Sequence, residues 1–388
     1  MIGMALAVHF GAGKIGRGFI ANLLHQTGYH VVFADVVQET IDKLKKEQQY
    51  TLFLIDHNYD EQLIDDVDAY STINEADKVV DAIQEAEVVT TSVMATNLDK
   101  VAPLIAKGLK RRVGSHKPKI TVMACENAMM GTNILVKAML ATGEITTDEL
   151  NEVGVYPNTA VDRVVFDGHH HGKDGIEIGD AYELAIEKNK LADTNTQPIK
   201  NAEYVENLEM YLQRKIYMIN CGHAISAYLG QANGYKTVQE VLKDPQLLEQ
   251  VKTAMMESAG ALEKKYGFEH TTLVTYMNKM FVKRMTTPGL SDPVERVGRE
   301  PIRKLAANDR IIGPALQCEA YKLANDHLLH GAAYGFHFQN PDDQQAVEIQ
   351  TSIEQNGIKE TVAKYTQQPV DSRIVAVISD NYEQISKG

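Results

Sequence analysis

The sequence predicts an α/β domain followed by a mainly α-helical domain. In the first half, strand-like apolar segments alternate with helical ones, which is typical of a doubly wound parallel sheet. From about Ala202 onward, long stretches instead show helical apolar spacing. A chain of 388 residues also exceeds what one hydrophobic core usually supports. We therefore expect an N-terminal domain over residues 1–197 and a C-terminal domain over residues 198–388.

The first element is an apolar strand that leads into a glycine-rich turn and then a helix. Gly11 allows the tight turn, Gly13 lets the backbone approach a pyrophosphate, and Gly16 lets the helix pack on the strand. The free N–H groups at the start of the helix would face the phosphates. This pattern predicts a Rossmann-type dinucleotide site made by Gly11, Ala12, Gly13, Lys14, Ile15 and Gly16.

A second strand, residues 30–34, ends in an acidic residue. Asp35 follows Gly16 at the distance where a carboxylate would meet the adenosine ribose hydroxyls. Val36, Val37 and Gln38 come next, so no arginine stands there to neutralise a 2′-phosphate. The sequence therefore favours NAD over NADP as the cofactor.

Two further buried strands are expected at residues 87–92 and 119–124, with the amphipathic stretch 98–109 between them. Asn127 comes just after the second of these strands, where an amide could face the reacting carbon. Residues 154–156 and 176–178 give shorter strand signals, and Gly168 and Gly172 suggest loops.

The second half carries a lysine, an asparagine and a histidine close together in one helical stretch. With roughly 100° per residue, Lys215, His223 and Asn220 fall at about 0°, 80° and 140° around a helix. All three could then face one cleft. Oxidation of a secondary alcohol without a metal needs a side-chain base and fixed donors for the developing alkoxide. A lysine and an amide supply these.

Net charge, cysteine spacing and the lengths of the apolar runs exclude several classes of function. The net charge of −13 argues against a nucleic-acid or anionic-membrane surface. Cys125, Cys221 and Cys318 lack metal or disulfide spacing, and neither a signal peptide nor a membrane-spanning run is seen. The run His169-His170-His171, bounded by glycines, is interpreted as a solvent loop. We expect a metal-independent cytoplasmic enzyme for a small molecule, as a monomer or small homo-oligomer.

Several motifs together resemble the polyol-specific long-chain dehydrogenase family. They are Val8-His-Phe-Gly-Ala-Gly-x-Ile-Gly-Arg-Gly-Phe19, Glu126-Asn127, Asn158-Thr-Ala-Val-Asp162-Arg163, Lys215-x4-Asn220-x2-His223 and Arg303-Lys-Leu-x3-Asp309-Arg310-x2-Gly313-Pro314. The resemblance implies metal-independent, NAD-dependent interconversion of D-mannitol 1-phosphate and D-fructose 6-phosphate.

The same resemblance implies individual roles. Lys215 would be the general acid/base, Asn127 and Asn220 the donors to the substrate oxygen, and His223 a substrate-positioning residue. Asp162 matches a carboxylate thought to assist proton passage. A basic cluster contains Arg299, Arg303 and Lys304. From the sequence alone, this cluster is interpreted as a solvated helix face paired with acidic neighbours. The resemblance instead favours these three residues as contacts of the substrate phosphate.

Other interpretations stay open at this point. A dehydrogenase of the 3-hydroxyacid or 6-phosphogluconate type also joins a nucleotide domain to helices carrying a lysine and an asparagine. Tyr211 and Lys215 spell the Tyr-x3-Lys pair of short-chain dehydrogenases, but the glycine spacing differs from theirs. A non-catalytic NAD-binding sensor would bind nucleotide without turnover.

Overall fold

A computed structural model describes residues 5–287 and 290–387. The chain divides into two compact units, one ending at Leu208 and the other beginning at Glu209. The first unit is built around a parallel sheet and the second is mostly helical, so the predicted fold class is confirmed. The proposed boundary near residues 197–198 stays a prediction.

Among its described residues, the first unit contains eleven strands and six α-helices. The strands are β1 Leu6–Phe10, β2 His30–Asp35, β3 Tyr50–Leu54, β4 Asp60–Ile64, β5 Val67–Ser71, β6 Val88–Thr91, β7 Ile120–Ala124, β8 Gly154–Val155, β9 Thr159–His170, β10 Lys173–Glu187 and β11 Glu203–Val205. The helices are α1 Ala21–Thr27, α2 Gln38–Glu47, α3 Ala76–Glu85, α4 Leu98–Lys110, α5 Gly131–Ala141 and α6 Thr147–Val153. A π-helical segment, Gly16–Ile20, leads into α1.

The main sheet has the strand order β5-β2-β1-β6-β7-β8, and every pair is parallel. The chain starts in the middle, moves to one edge through β2 and β5, and then crosses over to β6, β7 and β8. The order therefore reverses between β1 and β6. In doubly wound sheets, ligands bind outside the carboxyl ends of the strands at this reversal.

Both faces of the main sheet are covered. One apolar cluster includes Phe19, Leu23 and Phe33 and extends to residues of the second sheet such as Ile176. The other includes Val8, Phe10 and residues of α3, α4 and α5. Adjacent β1 residues thus serve opposite cores, as strand alternation requires, and the apolar run of this strand is explained by burial on two sides.

A second sheet was missed by the sequence interpretation. It has the order β11-β10-β3-β4, and β9 pairs with β10 as a long antiparallel hairpin. Gly168 lies inside β9, so its assignment to a loop was wrong, whereas Gly172 lies in the hairpin turn with φ 76°. β9 and β10 pair over more than five residues on each side of this turn, which local spacing could not reveal.

The histidine run is not a simple solvent loop, so that interpretation was wrong. His169 and His170 belong to β9. The His170 ring stacks on Tyr59 with centroids 3.9 Å apart and bonds to Glu177 Oε1 at 2.6 Å. His169 Nδ1 lies 2.7 Å from Asp174 Oδ1. Each of these imidazoles is engaged by a carboxylate of the hairpin.

The second unit contains twelve helices among its described residues, counting the helix that begins at the unit boundary. They are α7 Leu208–Arg214, α8 Cys221–Ala232, α9 Val238–Lys243, α10 Pro245–Tyr266, α11 His270–Met277, α12 Val294–Gly298, α13 Pro301–Lys304, α14 Ile312–Ala320, α15 Asp326–His337, α16 Gln344–Asn356, α17 Ile358–Thr366 and α18 Arg373–Ile385. π-helical segments occupy Lys215–Asn220 and Asn278–Lys283.

The helical stretches differ from the sequence interpretation at their joints. Residues 238–267 form two helices, because the Asp244 carboxylate caps α10 by accepting the N–H groups of Gln246 and Leu247. Pro245 occupies the first position of α10, where its missing N–H costs nothing. Residues 205–228 are interrupted by the π-helical segment that starts at Lys215.

Candidate active site

The glycine-rich turn follows β1 at the point where the strand order reverses. Gly11 has φ 103° and donates its N–H to the Ala34 carbonyl at 2.9 Å. A Cβ on Gly16 would lie 1.8 Å from the Gly11 carbonyl oxygen, so only glycine fits there. A Cβ on Gly13 would meet nothing within 4 Å. Gly11 and Gly16 are thus needed by the fold, while Gly13 leaves open space beside its backbone.

This contrast gives a matched pair of variants. We expect Gly16→Ala to lower the melting temperature strongly, because the new methyl group collides with backbone. Gly13→Ala should leave the melting temperature within a few degrees of wild type and weaken nucleotide binding, since only a ligand would occupy that space. Thermal unfolding and NADH titration of both variants check this. Unchanged NADH affinity in Gly13→Ala would contradict a phosphate contact at that position.

Asp35 lies at the carboxyl end of β2 and holds the adjoining turns. Its Oδ2 accepts the Ala12 N–H, and its Oδ1 accepts the N–H groups of Val36 at 2.7 Å and Val37 at 2.9 Å. A carboxylate can accept roughly four hydrogen bonds, so capacity remains for a hydroxyl. The neighbouring Lys14 forms an exposed ion pair with Asp167 at 2.9 Å, and the Ile15 side chain is exposed.

His9 supports the turn from inside the sheet. It is fully buried, with Nδ1 2.7 Å from Thr90 Oγ1 and Nε2 2.8 Å from Ser92 Oγ. A Cβ on Gly16 would also come within 2.9 Å of His9 Nε2. Burial lowers the pKa of His9 to about 3, so the imidazole is neutral at physiological pH.

His9 should make stability pH-dependent in a defined window. Its folded pKa of about 3 lies below the usual value of 6.5, so the unfolded chain binds the extra proton. The contribution of the neutral His9 imidazole to the free energy of unfolding is complete above pH 6.5 and is lost as the pH falls toward 3. In urea unfolding, wild type should lose up to about 1.4 kcal/mol per pH unit more than His9→Asn in this window. Parallel pH profiles for the two proteins would contradict this account.

Asn127 is exposed in the bend that follows β7. Glu126, immediately before it, is buried and accepts hydrogen bonds from the last residue of β6 and from the turn that follows. Asp162 is half-buried on β9 and pairs across the hairpin with Glu183. Asn127 therefore lies at the carboxyl edge of the main sheet, as its position after a strand predicted, while Asp162 belongs to the second sheet.

In the second unit, Lys215 is the first residue of the π-helical segment, and only 9% of its surface is exposed. The sequence interpretation assumed an ordinary α-helix through this region, and that was wrong. A π-turn bonds residue i to residue i+5, which places Asn220 roughly one turn above Lys215 on the same side. The two are therefore closer in angle than an α-helix would allow. Single π-turns of this kind are frequent at functional sites.

His223 lies in the first turn of α8 and is held by a carboxylate that the sequence interpretation missed. Its Nε2 is 2.9 Å from Asp292 Oδ2, and the guanidinium of Arg296 donates to Asp292 Oδ1. Burial would raise the pKa of Asp292, but the hydrogen bonds from His223 and Arg296 outweigh it and hold the pKa below its usual range. Asp292 is thus an ionised partner that fixes the orientation of the imidazole.

The three basic residues assigned to a phosphate differ in their surroundings. Lys304 is buried, and its Nζ donates to the Val297 carbonyl at 2.6 Å and to the Arg299 carbonyl. Desolvation, assisted by Arg310 and Arg303, lowers the pKa of Lys304 to about 7. Arg299 is exposed, and Arg303 is about half exposed and paired with Glu300 at 2.6 Å. The two arginines therefore present more accessible cationic groups than the lysine.

Neither a membrane-spanning helix nor a metal-binding cluster is found among the described residues. None of the helices within residues 5–287 and 290–387 is long and apolar enough to cross a membrane. Over the same ranges, no three or more His, Cys, Asp or Glu side chains cluster so as to hold a metal ion.

The family of the chain follows from comparison with known proteins. The profile of the mannitol dehydrogenase Rossmann domain matches residues 5–200, and that of the mannitol dehydrogenase C-terminal domain matches residues 207–386. The chain belongs to the mannitol dehydrogenase family and is accordingly an oxidoreductase of the polyol dehydrogenase class.

Particular relatives match along their whole length. A mannitol-1-phosphate 5-dehydrogenase of Geobacillus stearothermophilus is 36% identical over 382 residues, which cover 98% of this chain and 100% of the relative. One from Exiguobacterium sp. strain AT1b is 38% identical, with 98% and 97% covered.

Two solved structures share the fold. A substrate-free D-sorbitol dehydrogenase superposes with a TM-score of 0.82 at 16% identity, covering 99% of this chain and 94% of its own. The Pseudomonas fluorescens mannitol 2-dehydrogenase complex with NAD and D-mannitol gives 0.72 at 18% identity, with 99% and 92% covered.

Proposed function

We propose that this enzyme interconverts D-mannitol 1-phosphate and D-fructose 6-phosphate by NAD-dependent hydride transfer. The observation that carries the proposal is end-to-end similarity to relatives named mannitol-1-phosphate 5-dehydrogenase, at 36–38% identity. The buried lysine of the π-helical segment and the open glycine turn support it, because a metal-independent alcohol oxidation needs a base and a nucleotide site.

The first unit fits NAD. The 11–16 turn would hold the pyrophosphate, since the space beside Gly13 is open and the helix start offers N–H groups. Asp35 would hold the adenosine ribose hydroxyls, and a 2′-phosphate there would meet a carboxylate. When bound, NAD supplies the hydride acceptor for the substrate carbon.

Side chains of the enzyme accept the alcohol proton and stabilise the negative charge that develops on the substrate oxygen. Lys215 takes the O–H proton of mannitol 1-phosphate as hydride leaves carbon. A lysine can do so only in its neutral form. Asn127 and Asn220 donate amide hydrogens to the developing alkoxide without titrating themselves. His223, oriented by Asp292, positions a substrate hydroxyl. We keep Asp162 as an aid to proton passage.

The phosphate of the substrate is assigned to the basic cluster. Arginine forks match phosphate oxygens bidentately, and Arg299 and Arg303 are accessible. Lys304 is already engaged by two carbonyls and retains a third N–H donor when it is protonated, below its lowered pKa of about 7. The cluster would thereby distinguish a sugar phosphate from a free sugar.

Truncating these side chains tests the assignment. We expect Arg303→Ala or Arg299→Ala to raise the KM for fructose 6-phosphate tenfold or more, from loss of about 1.5–3 kcal/mol of charge-assisted hydrogen bonding. Activity on unphosphorylated fructose should hardly change. If Arg299→Ala, Arg303→Ala and Lys304→Ala all leave the KM unchanged, or weaken both sugars equally, the phosphate site lies elsewhere.

A substrate panel tests the proposed function against its alternatives. Initial rates are measured with mannitol 1-phosphate, free mannitol, sorbitol 6-phosphate and 6-phosphogluconate, each with NAD and with NADP. We expect mannitol 1-phosphate with NAD to be turned over most efficiently. Preference for 6-phosphogluconate would indicate the 6-phosphogluconate type of dehydrogenase, and NADH binding without turnover of any substrate would indicate a sensor.

A further inference from the structure

The turn after β6 carries a methionine in a strained backbone. Met94 has φ 73° and ψ 139°, a combination that suits glycine and disfavours any residue with a Cβ. Its side chain is 68% exposed, so packing within the first unit does not offset the strain. An apolar side chain held outward at a conformational cost points to a ligand.

A buried carboxylate holds this turn in place. Glu126, 5% exposed, accepts the Thr91 hydroxyl at 2.6 Å and the Val93 N–H at 2.9 Å through Oε1. Its Oε2 accepts the Met94 N–H at 3.0 Å. The two oxygens of a carboxyl group have enough lone pairs to accept all three of these hydrogen bonds. The three donors lie within residues 91–94, so the Glu126 side chain fixes the path of the backbone at Met94.

The turn lies beside the glycine-rich turn at the reversal of strand order. The Ser92 N–H donates to the Phe10 carbonyl at 2.8 Å, which continues the pairing of β6 with β1. The Ser92 carbonyl oxygen would lie 2.6 Å from a Cβ on Gly11, so the two turns are in direct backbone contact. Met94 is two residues beyond this contact.

The direction of a bound dinucleotide follows from the same sheet. Asp35 ends β2, on one side of β1, and would hold the adenosine ribose, while the pyrophosphate lies at the turn after β1. The nicotinamide end must then extend to the other side of β1. That is the side of β6, where the Met94 turn lies.

We infer that Glu126 is a positioning residue that holds Met94 in its strained backbone, so that the thioether side chain forms an apolar wall against the nicotinamide end of NAD. A methionine suits this place because its sulfur is polarisable and makes favourable contacts with aromatic rings. The inference rests on the proposed NAD-dependent function.

Full-length variants separate this role from a structural one. Met94→Gly relieves the strain but removes the wall, so we expect an equal or higher melting temperature together with NADH binding weakened about tenfold. Met94→Leu keeps an apolar wall and should bind NADH within about threefold of wild type. In Glu126→Gln, an amide N–H would face the hydrogen-bond donors of residues 91–94 and the turn would lose its anchor. We expect this variant to bind NADH about tenfold more weakly.

Gln48→Gly is the matched control. Gln48 ends α2 with φ 50°, so glycine there also relieves a left-handed residue, away from β6. It should leave NADH affinity unchanged. The inference is overturned if wild type binds NADH and Met94→Gly binds it equally well, or if Met94→Gly lowers the melting temperature as loss of a packed residue would. If wild type itself does not bind NADH, the proposed function fails and the inference with it.

Discussion

Lys215→Ala is expected to lower turnover by about two to four orders of magnitude while NADH affinity stays nearly unchanged. The physical reason is that Lys215 is the proposed acceptor of the alcohol proton as hydride leaves, and general acid–base catalysis typically contributes this much. The residue is buried at the start of a π-turn, and π-turns are frequent at functional sites.

The measurement is the initial rate of NADH oxidation with fructose 6-phosphate across pH, together with NADH titration. Lys243→Ala is a suitable control, because Lys243 is an exposed helical lysine of the same unit. It should retain wild-type turnover. If Lys215→Ala keeps more than a tenth of wild-type turnover at its optimal pH, the acid/base role is wrong.

The second large effect is expected from the amide donors. Asn220→Ala and Asn127→Ala should each reduce turnover on the order of a hundredfold, because a preorganised donor to a developing alkoxide is lost. Asn220 follows Lys215 by one π-turn, and Asn127 is exposed after β7. Single-turnover rates at saturating NADH separate the chemical step from cofactor binding.

Asn233→Ala serves as the control for this pair. Asn233 follows the last residue of α8, and its side-chain amide donates to the Leu229 carbonyl at 2.8 Å. Loss of this local helix-end contact should affect stability slightly and turnover hardly at all. If Asn220→Ala or Asn127→Ala changes cofactor affinity but not the single-turnover rate, that asparagine has a structural role and does not stabilise the alkoxide.

The parts of the fold that were predicted correctly have local signals. The strand, glycine turn and helix at residues 5–24 follow one another directly, and Asp35 ends the next strand. The second sheet was missed because its strands are brought together from distant parts of the chain. β3, for example, pairs with β10 through Leu52 and Ile176, and no local spacing encodes that contact.

The site was predicted in part for the same reason. Lys215, Asn220 and His223 are close in sequence, so any helical geometry places them near one another. The π-turn was not foreseen, because the apolar spacing that predicts a helix does not distinguish one extra residue in a turn. Asp292 was missed because it lies 69 residues from His223 and adjoins no recognisable motif. Only the tertiary structure joins them.

The most direct test of the proposed function follows the hydride itself. The enzyme is incubated with fructose 6-phosphate and NADH deuterated at the transferable position of the nicotinamide, and the product is analysed by NMR and mass spectrometry. The proposed reaction predicts mannitol 1-phosphate with one deuterium at C5, the carbon that was the carbonyl of the ketose. A product without deuterium, deuterium at another carbon, or no reduction of the sugar phosphate would contradict it.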